Sequence, residues 1–183
     1  MSERKGMKLK NIEVKVIVEL MKNSRRSDRE LAKAIGSSQP PVSRVIRRLE
    51  KEGVIKEYTM IPDFVRLGYQ MMGITFTRAP TIVNEEDSME LRKSVEELER
   101  KRPFALLMAV YGMGFGKDLM FITLYRNYTR YVEAMQLTRS LPHVGAKEVE
   151  SFLVDLNDEN NYRLLTMKQL ARNIQVFEDA LTK

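Results

Sequence analysis

The chain has 183 residues, 43% of them hydrophobic and 31% charged, which excludes a disordered chain and leaves room for one domain or two small ones. The absence of cysteine excludes disulfides and cysteine-based zinc sites, and a single histidine, His143, argues against a histidine metal site or a Ser-His triad. The net charge of +6 is uneven, because residues 1–60 carry +7 and residues 61–183 carry −1. This asymmetry favours a polyanion as the partner of the N-terminal part, and a lysine excess that only serves solubility is the alternative.

The first ten residues, MSERKGMKLK, contain no apolar run of the kind that a signal peptide has. No later stretch reaches the roughly 20 apolar residues of a membrane span. A membrane surface is also disfavoured as a partner, because the basic residues do not lie opposite a broad apolar face. We therefore expect a soluble protein of the cytoplasm.

Three helical patterns follow one another between residues 11 and 53. The first places apolar side chains on one stripe: Ile12, Val16, Ile17 and Leu20. Residues 27–30, Ser-Asp-Arg-Glu, form a capping box that predicts the start of a short second helix, and Gly36 stands where its C-cap needs a positive φ. The third helix is predicted to be capped by Ser38, to carry Pro40 in its first turn and to end at Gly53. Two helices joined by a short glycine turn are typical of a helix-turn-helix.

The side chains that lie off the apolar stripe of the third helix are polar or basic: Gln39, Ser43, Arg44, Arg47, Arg48 and Lys51. The two short polar groups near the start of the helix suit base edges, and the three basic residues nearest its end suit phosphates. Arg44 suits either, because its planar fork matches two acceptors on guanine. The alternative is that the basic residues near the end pair with Glu50 and Glu52 on a solvated face.

Residues 54–61, VIKEYTMI, are rich in β-branched and aromatic side chains. This composition favours a short strand or wing beside the helices, with Lys56 near the phosphate backbone. Packing of the apolar residues against the third helix is the alternative.

A resemblance to the Lrp/AsnC family, the leucine-responsive regulatory proteins, extends over about residues 9–69. It rests on the run ELAKAIGSSQPPVSRVIRRLEKEGVIKEYTMIPDFVRLGY, which resembles the family's winged helix-turn-helix and linker, and on LKNIEVKVIVELMKN, which resembles its first helix. The resemblance implies a regulator whose third helix enters the major groove of duplex DNA. The positions that match the recognition helix are Ser38, Gln39, Pro40, Ser43, Arg44, Arg47 and Arg48.

The C-terminal part is predicted to begin after a linker at residues 62–69 and to form a domain over residues 70–156. Its predicted elements are a strand at 70–77, a helix capped at 87–90, strands at 104–111 and 119–125, a helix at 128–141 and a strand at 147–156. This β-α-β-β-α-β order is the split βαβ of ferredoxin-like α+β folds. If both helices cover one face of the sheet, the Met, Ile and Phe side chains of the other face predict a homodimer that packs sheet to sheet.

The same order resembles the dimerisation and amino-acid-sensing domain of the family, which implies dimers that assemble further and a small ligand near the hairpin after the second strand. The hairpin here, GMGFGKD, departs from the family's pattern of a glycine, an aromatic and an aspartate. It retains Gly116 and Asp118, the candidate effector site, with Lys117 between them. Asp118 suits a ligand amino group, and capping of a turn is the alternative. The glycines lack the spacing of a nucleotide fingerprint.

Residues 157–183 are unusual for the resemblance. Residues 157–160 are predicted to cap a helix of about 20 residues, whose apolar stripe is Leu164, Met167, Leu170, Ile174, Phe177 and Leu181. Such a stripe must lie against something. We expect it to dock on the sheet of its own chain or of a partner copy, and a site for another protein is the alternative.

Three functions are compatible with these patterns. The first is a dimeric, sequence-specific transcription regulator without a cofactor or enzymatic activity, which reads a roughly palindromic duplex site and responds to a small ligand. The second is an architectural protein that coats DNA, for which the arginines alone suffice. The third is a tetrapyrrole-processing enzyme on the same scaffold, for which His143, predicted to be a solvated loop residue, is the one histidine at hand. The predicted domains are residues 1–61, the 62–69 linker, 70–156 and the C-terminal helix at 157–183.

Overall fold

The computed structural model describes residues 9–78, 84–101, 105–145, 148–161 and 166–181. The chain divides into two compact units. The first consists of Met1–Ile61 together with Arg163–Lys183, and the second consists of Pro62–Tyr162. Both ends of the chain therefore contribute to the same unit, and the segment between them forms the other.

The first unit contains the three predicted N-terminal helices, α1 (Asn11–Lys22), α2 (Asp28–Ile35) and α3 (Gln39–Lys51). The capping box of α2 is formed, since the Ser27 backbone N–H donates to Glu30 Oε2 at 2.8 Å and the Glu30 N–H donates to Ser27 Oγ at 3.3 Å. Gly36 ends α2 with a φ of +67°, a conformation in which other residues are strained. The helices enclose one core: Val16, Leu20, Leu31, Ala32, Val42, Ile46 and Leu49.

Residues 54–61, all of which the structure describes, contain no strand. Val54 and Ile55 are instead half-buried against the core of the first unit, which confirms the interpretation that they pack against α3. The Val54 N–H donates to the Leu49 carbonyl at 2.9 Å and so satisfies one of the carbonyls that the end of α3 leaves open. The predicted strand at this position is therefore wrong.

The C-terminal helix α6 (Lys168–Leu181) packs against α1. Helix α1 has a second apolar face, opposite its core stripe, formed by Val14, Val18 and Met21. Val18 is buried although it lies outside the core cluster, and Ala171 of α6 is completely buried. The two helices are also joined by a hydrogen bond of 3.0 Å from Lys22 Nζ to Gln175 Oε1. The expectation that this helix docks on the sheet is wrong, because an apolar face on α1 was available to it.

Helix α6 begins later than the sequence predicts. The predicted cap residues form turns instead, in which Asp155 Oδ1 accepts from the Asn157 N–H and Asp158 Oδ1 accepts from the Asn160 N–H, each at 2.9 Å. These Asx turns satisfy the local backbone without a helix. Within the predicted stripe Met167 and Leu170 are exposed, while Leu164 and the side chains of Phe177 and Leu181 lie outside the described part of the chain.

The second unit has the predicted ferredoxin-like order. Its elements are β1 (Met71–Thr77), α4 (Glu85–Lys101), β2 (Ala105–Gly114), β3 (Lys117–Tyr125), α5 (Tyr128–Arg139) and β4 (Glu150–Asp155). The strands form an antiparallel sheet in the order β2-β3-β1-β4. Helix α4 is capped by Asn84, whose Oδ1 accepts from the Asp87 N–H at 2.9 Å, and not by the predicted residues 87–90.

The segment predicted as a linker belongs to this second unit. Residues 64–68 form turns, with Gly68 at a φ of +87°. The Arg126 guanidinium lies over the Tyr69 ring, 5.6 Å from its centroid, and holds the start of β1.

No helix in the described part of the chain is both long and apolar enough to cross a membrane.

The two faces of the sheet differ. On the face covered by the helices Gly73, Thr75 and Thr77 are buried, and Ala134 and Met135 of α5 pack with Tyr125. The other face carries rows of apolar residues in register, of which the row Ile122–Ile74–Phe152 crosses three strands. Phe152 in this row remains 66% exposed.

Candidate nucleic-acid interface

The start of α3 leaves polar groups exposed. Ser38 occupies the N-cap position, as predicted, but its hydroxyl makes no capping hydrogen bond. The reason is local, because Pro40 and Pro41 occupy the positions whose N–H groups an N-cap side chain normally accepts from. The Ser38 hydroxyl and the Gln39 amide therefore stand exposed at the N-terminus of the helix, together with Pro40.

Ser43, one turn further along, is half-buried and tied to the neighbouring helix. Its hydroxyl is within hydrogen-bond range of Asp28 Oδ2 on α2, and of the Gln39 carbonyl at 3.2 Å. Its single proton is thus donated within the protein. Ser43 can face a base edge only as an acceptor. Sequence reasoning missed Asp28 as the residue that orients it.

Arg44 and Arg47 point into solvent from the exposed side of α3. Arg44 Nε donates a long hydrogen bond, 3.4 Å, to the Pro40 carbonyl. Within the described residues neither arginine takes part in an ion pair, and the same holds for the exposed Lys51 and Lys56. The alternative, in which Arg47, Arg48 and Lys51 pair with Glu50 and Glu52, is therefore not realised by Arg47 or Lys51, whereas Arg48 does pair with Glu52.

Arg48 differs from its neighbours because it is engaged inside the unit. Its Nη1 lies 2.7 Å from Glu13 Oε1, and its Nε donates to Glu52 Oε1 at 3.0 Å. Glu13 is 1% exposed, and its other oxygen accepts the Lys10 N–H at 2.7 Å. Arg48 thus links α1 to α3. Sequence reasoning missed Glu13, although a carboxylate on the apolar stripe of a helix indicates a buried partner.

Glu50 is held by Tyr58 in the segment that follows α3. The Tyr58 hydroxyl donates to Glu50 Oε1 at 2.8 Å. Burial, followed by this carboxylate, raises the pKa of Tyr58 to about 12. The hydrogen bond ties the segment that carries Lys56 back to α3. The sequence alone did not single out Tyr58 for this role.

The candidate effector residues lie at the β2–β3 hairpin. Phe115 and Gly116 form a two-residue turn with φ of +54° and +69°, the left-handed conformation that such hairpins require. Asp118 follows as the second residue of β3 and is half-buried. Lys117, between them, pairs with Glu150 on β4 at 3.1 Å.

His143 is not the solvated loop residue that the sequence predicts. Its Nε2 lies 3.0 Å from Glu90 Oε2 on α4, and its side chain is 17% exposed. This contact joins the turn after α5 to α4.

Comparison with known proteins gives a consistent assignment. Residues 9–56 match the model of a winged helix-turn-helix DNA-binding family. Over 95 residues the chain is 33% identical to an HTH-type transcriptional regulator of Pyrococcus abyssi. The aligned region covers 49% of this chain and 64% of that relative. Over 108 residues it is 31% identical to the HTH-type transcriptional regulator LrpA of Pyrococcus horikoshii. This alignment covers 57% of this chain and 77% of that relative. The chain spans just under two thirds of the length of the first relative.

Two solved structures have the same fold. LrpC of Bacillus subtilis matches with a TM-score of 0.66 at 23% identity, over 86% of this chain and 100% of that one. A transcriptional regulator of Neisseria meningitidis in complex with L-Met matches with a TM-score of 0.67 at 18% identity, over 89% of this chain and 99% of that one.

Proposed function

The chain belongs to the Lrp/AsnC family of transcriptional regulators, and on that basis we propose that it is a dimeric regulator in the cytoplasm that binds a specific duplex DNA site through α3. Helix α3 enters the major groove, with Ser38, Gln39 and Ser43 near base edges. Arg44 and Arg47 bind the guanine edge or the phosphates. Pro40 lets the start of the helix approach the DNA.

The observation that carries this proposal is the free cationic face of α3. Arg44 and Arg47 are exposed and have no ion-pair partner among the described residues, so they can neutralise phosphates and release DNA counterions without first breaking an ion pair in the protein. Lys51 and Lys56 are also exposed and outside the ion pairs of the described residues, and they add positive charge for contacts with the phosphates. Arg48 contributes less, because Glu13 and Glu52 already neutralise it.

The test is DNA binding as a function of salt. Charge reversal at Arg44→Glu and Arg47→Glu should lower the affinity for duplex DNA by at least 100-fold, on the order expected when two phosphate or base contacts become repulsive. The matched control is Arg92→Glu with Lys93→Glu on α4, which changes the net charge equally at exposed positions. Unaltered binding by the α3 variant, or equal loss in both variants, contradicts the proposal.

Sequence specificity is tested separately, since an architectural protein that coats DNA is the competing function. Binding to a site selected from genomic fragments is compared with binding to random duplex across a salt series. A regulator should prefer the selected site at every salt concentration, and Gln39→Ala should reduce that preference while it leaves the binding to random duplex unchanged. Equal affinity for both duplexes favours the coating function.

The dimer is proposed to form through the open face of the sheet. Exposed Phe152 continues the row of Ile74 and Ile122, and an apolar row across three strands is unfavourable in water. Phe152→Glu should therefore produce a monomer in sedimentation experiments. The control is Met89→Glu, an exposed apolar residue of α4, which should leave the dimer intact. A dimer that holds two helix-turn-helix units predicts a roughly palindromic DNA site. Its half-sites should lie one turn of the DNA helix apart, or a multiple of one turn.

A small effector is proposed at the hairpin, where Gly116 makes the turn and Asp118 offers a carboxylate to a ligand amino group. The regulator of Neisseria meningitidis that shares the fold was solved with L-Met, which makes amino acids the first ligands to try. Calorimetric titration should detect an amino acid that Asp118→Asn no longer binds. Equal binding by the variant would contradict this site.

A further inference from the structure

The chain passes between its two units twice, once in each direction. On the way out, the Thr59 carbonyl is still anchored in the first unit, where it accepts from Ser24 Oγ at 3.2 Å. Asp63 is already bonded within the second unit, since its carbonyl accepts from the Leu67 N–H at 3.2 Å. Met60, between these two anchors, is 73% exposed. This first connection is therefore short, and part of it lies open to solvent.

The return connection is also short. Asn161 is held in the second unit, because its Nδ2 donates to the Asp155 carbonyl at 2.7 Å. Helix α6 begins at Lys168, in the part of the chain that belongs to the first unit. Seven residue steps separate Asn161 from Lys168. The covalent chain therefore keeps these two residues within about 25 Å of each other.

The return connection restrains the first unit only while α6 stays docked on α1. That docking is specific, because Ala171 of α6 is completely buried and Val18 of α1 is 4% exposed. The hydrogen bond of 3.0 Å from Lys22 Nζ to Gln175 Oε1 joins the same two helices one turn further along. Helix α6 thus anchors the returning chain in the helix-turn-helix unit.

We propose that α6 is a second tether, which restricts the range of orientations that the first unit takes relative to the second. With the first connection alone, the helix-turn-helix unit is free to rotate about the exposed residues near Met60. The docked α6 closes a ring of chain through both units, and closing a ring removes conformational freedom. This tether acts through chain length and through one helix contact, and it needs no ligand.

The tether has a consequence for DNA binding that rests on the proposed function. A dimer whose helix-turn-helix units are each held by one flexible connection reaches half-sites at several spacings, because each unit adjusts its position independently. Units that are held by two connections reach a narrower range of spacings and lose less freedom on binding. We therefore expect the docked α6 to make the protein selective for the spacing between half-sites.

The experiment measures the orientation directly, without DNA. Because the full-length chain has no cysteine, Lys33→Cys on α2 and Arg92→Cys on α4, both at exposed positions, take spin labels specifically. Pulsed EPR then gives the distribution of distances between the labels, with labelled chains diluted in unlabelled ones. Insertion of about eight Gly/Ser residues after Asn161 leaves the contacts of α6 in place, and Ala171→Asp undocks the helix. Both changes should broaden the distribution at least about twofold, whereas Arg172→Asp should not.

An insertion variant with the same distribution as the unaltered chain overturns the tether, and this result does not depend on DNA binding or on the folding of Ala171→Asp. Binding to DNA gives the second measurement. A shift of one half-site by about 5 base pairs, half a helical turn, should weaken binding by the unaltered chain at least about tenfold and by the insertion variant less than about threefold. Equal sensitivity to spacing contradicts the role of α6 in selectivity. A failure of the proposed function would instead appear as the absence of site-specific binding by the unaltered chain.

Discussion

The guanidinium of Arg48 lies 2.7 Å from the carboxylate of Glu13, a side chain that is 1% exposed. This pair joins the recognition helix to α1 at the only point where the described core of the first unit holds a carboxylate. It adds to the apolar packing of α3 in setting the rotation of the helix about its own axis, and that rotation decides which side chains of α3 face outward. Under the proposed function, Arg48 therefore serves DNA binding by helping to hold α3, which carries Arg44 and Arg47, in place.

Removal of Arg48 should show how much the ion pair with Glu13 contributes to the stability of the fold. Arg48→Ala leaves a buried carboxylate without its cation, and we expect it to lower the free energy of unfolding by about 2–3 kcal/mol. This is less than the roughly 3–5 kcal/mol of a fully buried pair, because the Arg48 side chain keeps 38% exposure. The double variant Glu13→Gln with Arg48→Met should regain part of the loss in urea denaturation. A single variant as stable as the unaltered chain would show that the pair contributes nothing.

The two serines that precede α2 and α3 form a matched pair. Ser27→Ala removes a working N-cap and should cost about 1 kcal/mol of unfolding free energy. Ser38→Ala removes a hydroxyl that caps nothing, because Pro40 and Pro41 have no N–H to donate, and should cost close to zero. Urea denaturation of both variants checks the difference. Equal costs would mean that the capping geometry does not govern these positions.

The pKa of Glu30 should lie below its ordinary value of 4.5, chiefly because the Ser27 backbone N–H donates to the carboxylate, with a smaller contribution from the Ser27 hydroxyl. NMR titration of the Glu30 side chain measures it. Ser27→Ala should raise the pKa only partway, since the backbone donor remains. Because the folded-state pKa is the lower one, the contribution of Glu30 to stability is complete above pH 4.5 and is lost as the pH falls through the folded-state pKa. A pKa at or above 4.5 would contradict this.

Helix α6 should be required for the full stability of the first unit. Ala171→Asp places a charge at a completely buried position against α1, and we expect a loss of about 2 kcal/mol or more, limited by the free energy of docking because α6 can detach. Hydrogen exchange at Val18 should accelerate. Arg172→Asp, at the adjacent exposed position, serves as the control and should change little. Similar effects of both substitutions would argue against docking of α6 on α1.

The Tyr125 ring lies across Gly73. A Cβ at residue 73 would lie 2.8 Å from Tyr125 Cε2, closer than packed carbon atoms approach. Gly73→Ala should therefore lower the free energy of unfolding by about 1–3 kcal/mol as the ring is displaced. Gly112→Ala, where the added carbon meets no atom within 4 Å, should be neutral or slightly stabilising. Thermal unfolding of the two variants tests this, and equal melting temperatures would rule out the collision.

Much of the fold could be predicted because its signals are local. The capping box at Ser27 and the glycine at residue 36 act within one turn of chain, and both form as predicted. The order of strands and helices in the second unit was predictable from local patterns, which are alternation at β1, continuous apolar runs at β2 and β3, and helical spacing in α4 and α5. A predicted helix boundary is wrong where the same residues can form either a helix cap or a turn. At residues 157–160 the structure has Asx turns in place of the predicted helix cap.

The sequence predicted which residues of α3 are exposed at the candidate interface, but it did not predict the partners that some of them have on other helices. Exposed arginines on α3 follow from their positions off the apolar stripe. Arg48 also lies off the apolar stripe, and the sequence predicts a phosphate contact for it, but it does not reveal the partner Glu13, 35 positions earlier in the chain, which Arg48 holds in addition to Glu52. The partner of Ser43 is likewise on another helix. Contacts between distant positions leave no periodic signal, so a single sequence does not reveal them.

The amino-acid order by itself determined the helix-turn-helix, the alternation of strands and helices, and the charge difference between the two parts of the chain, because each depends on neighbours within a few residues. Only the tertiary structure decided that the last helix joins the first, that one arginine of α3 is engaged inside the protein, and that the histidine after α5 pairs with a carboxylate of α4. These features arise where chain segments far apart in sequence meet, and the free energy of such meetings depends on three-dimensional fit.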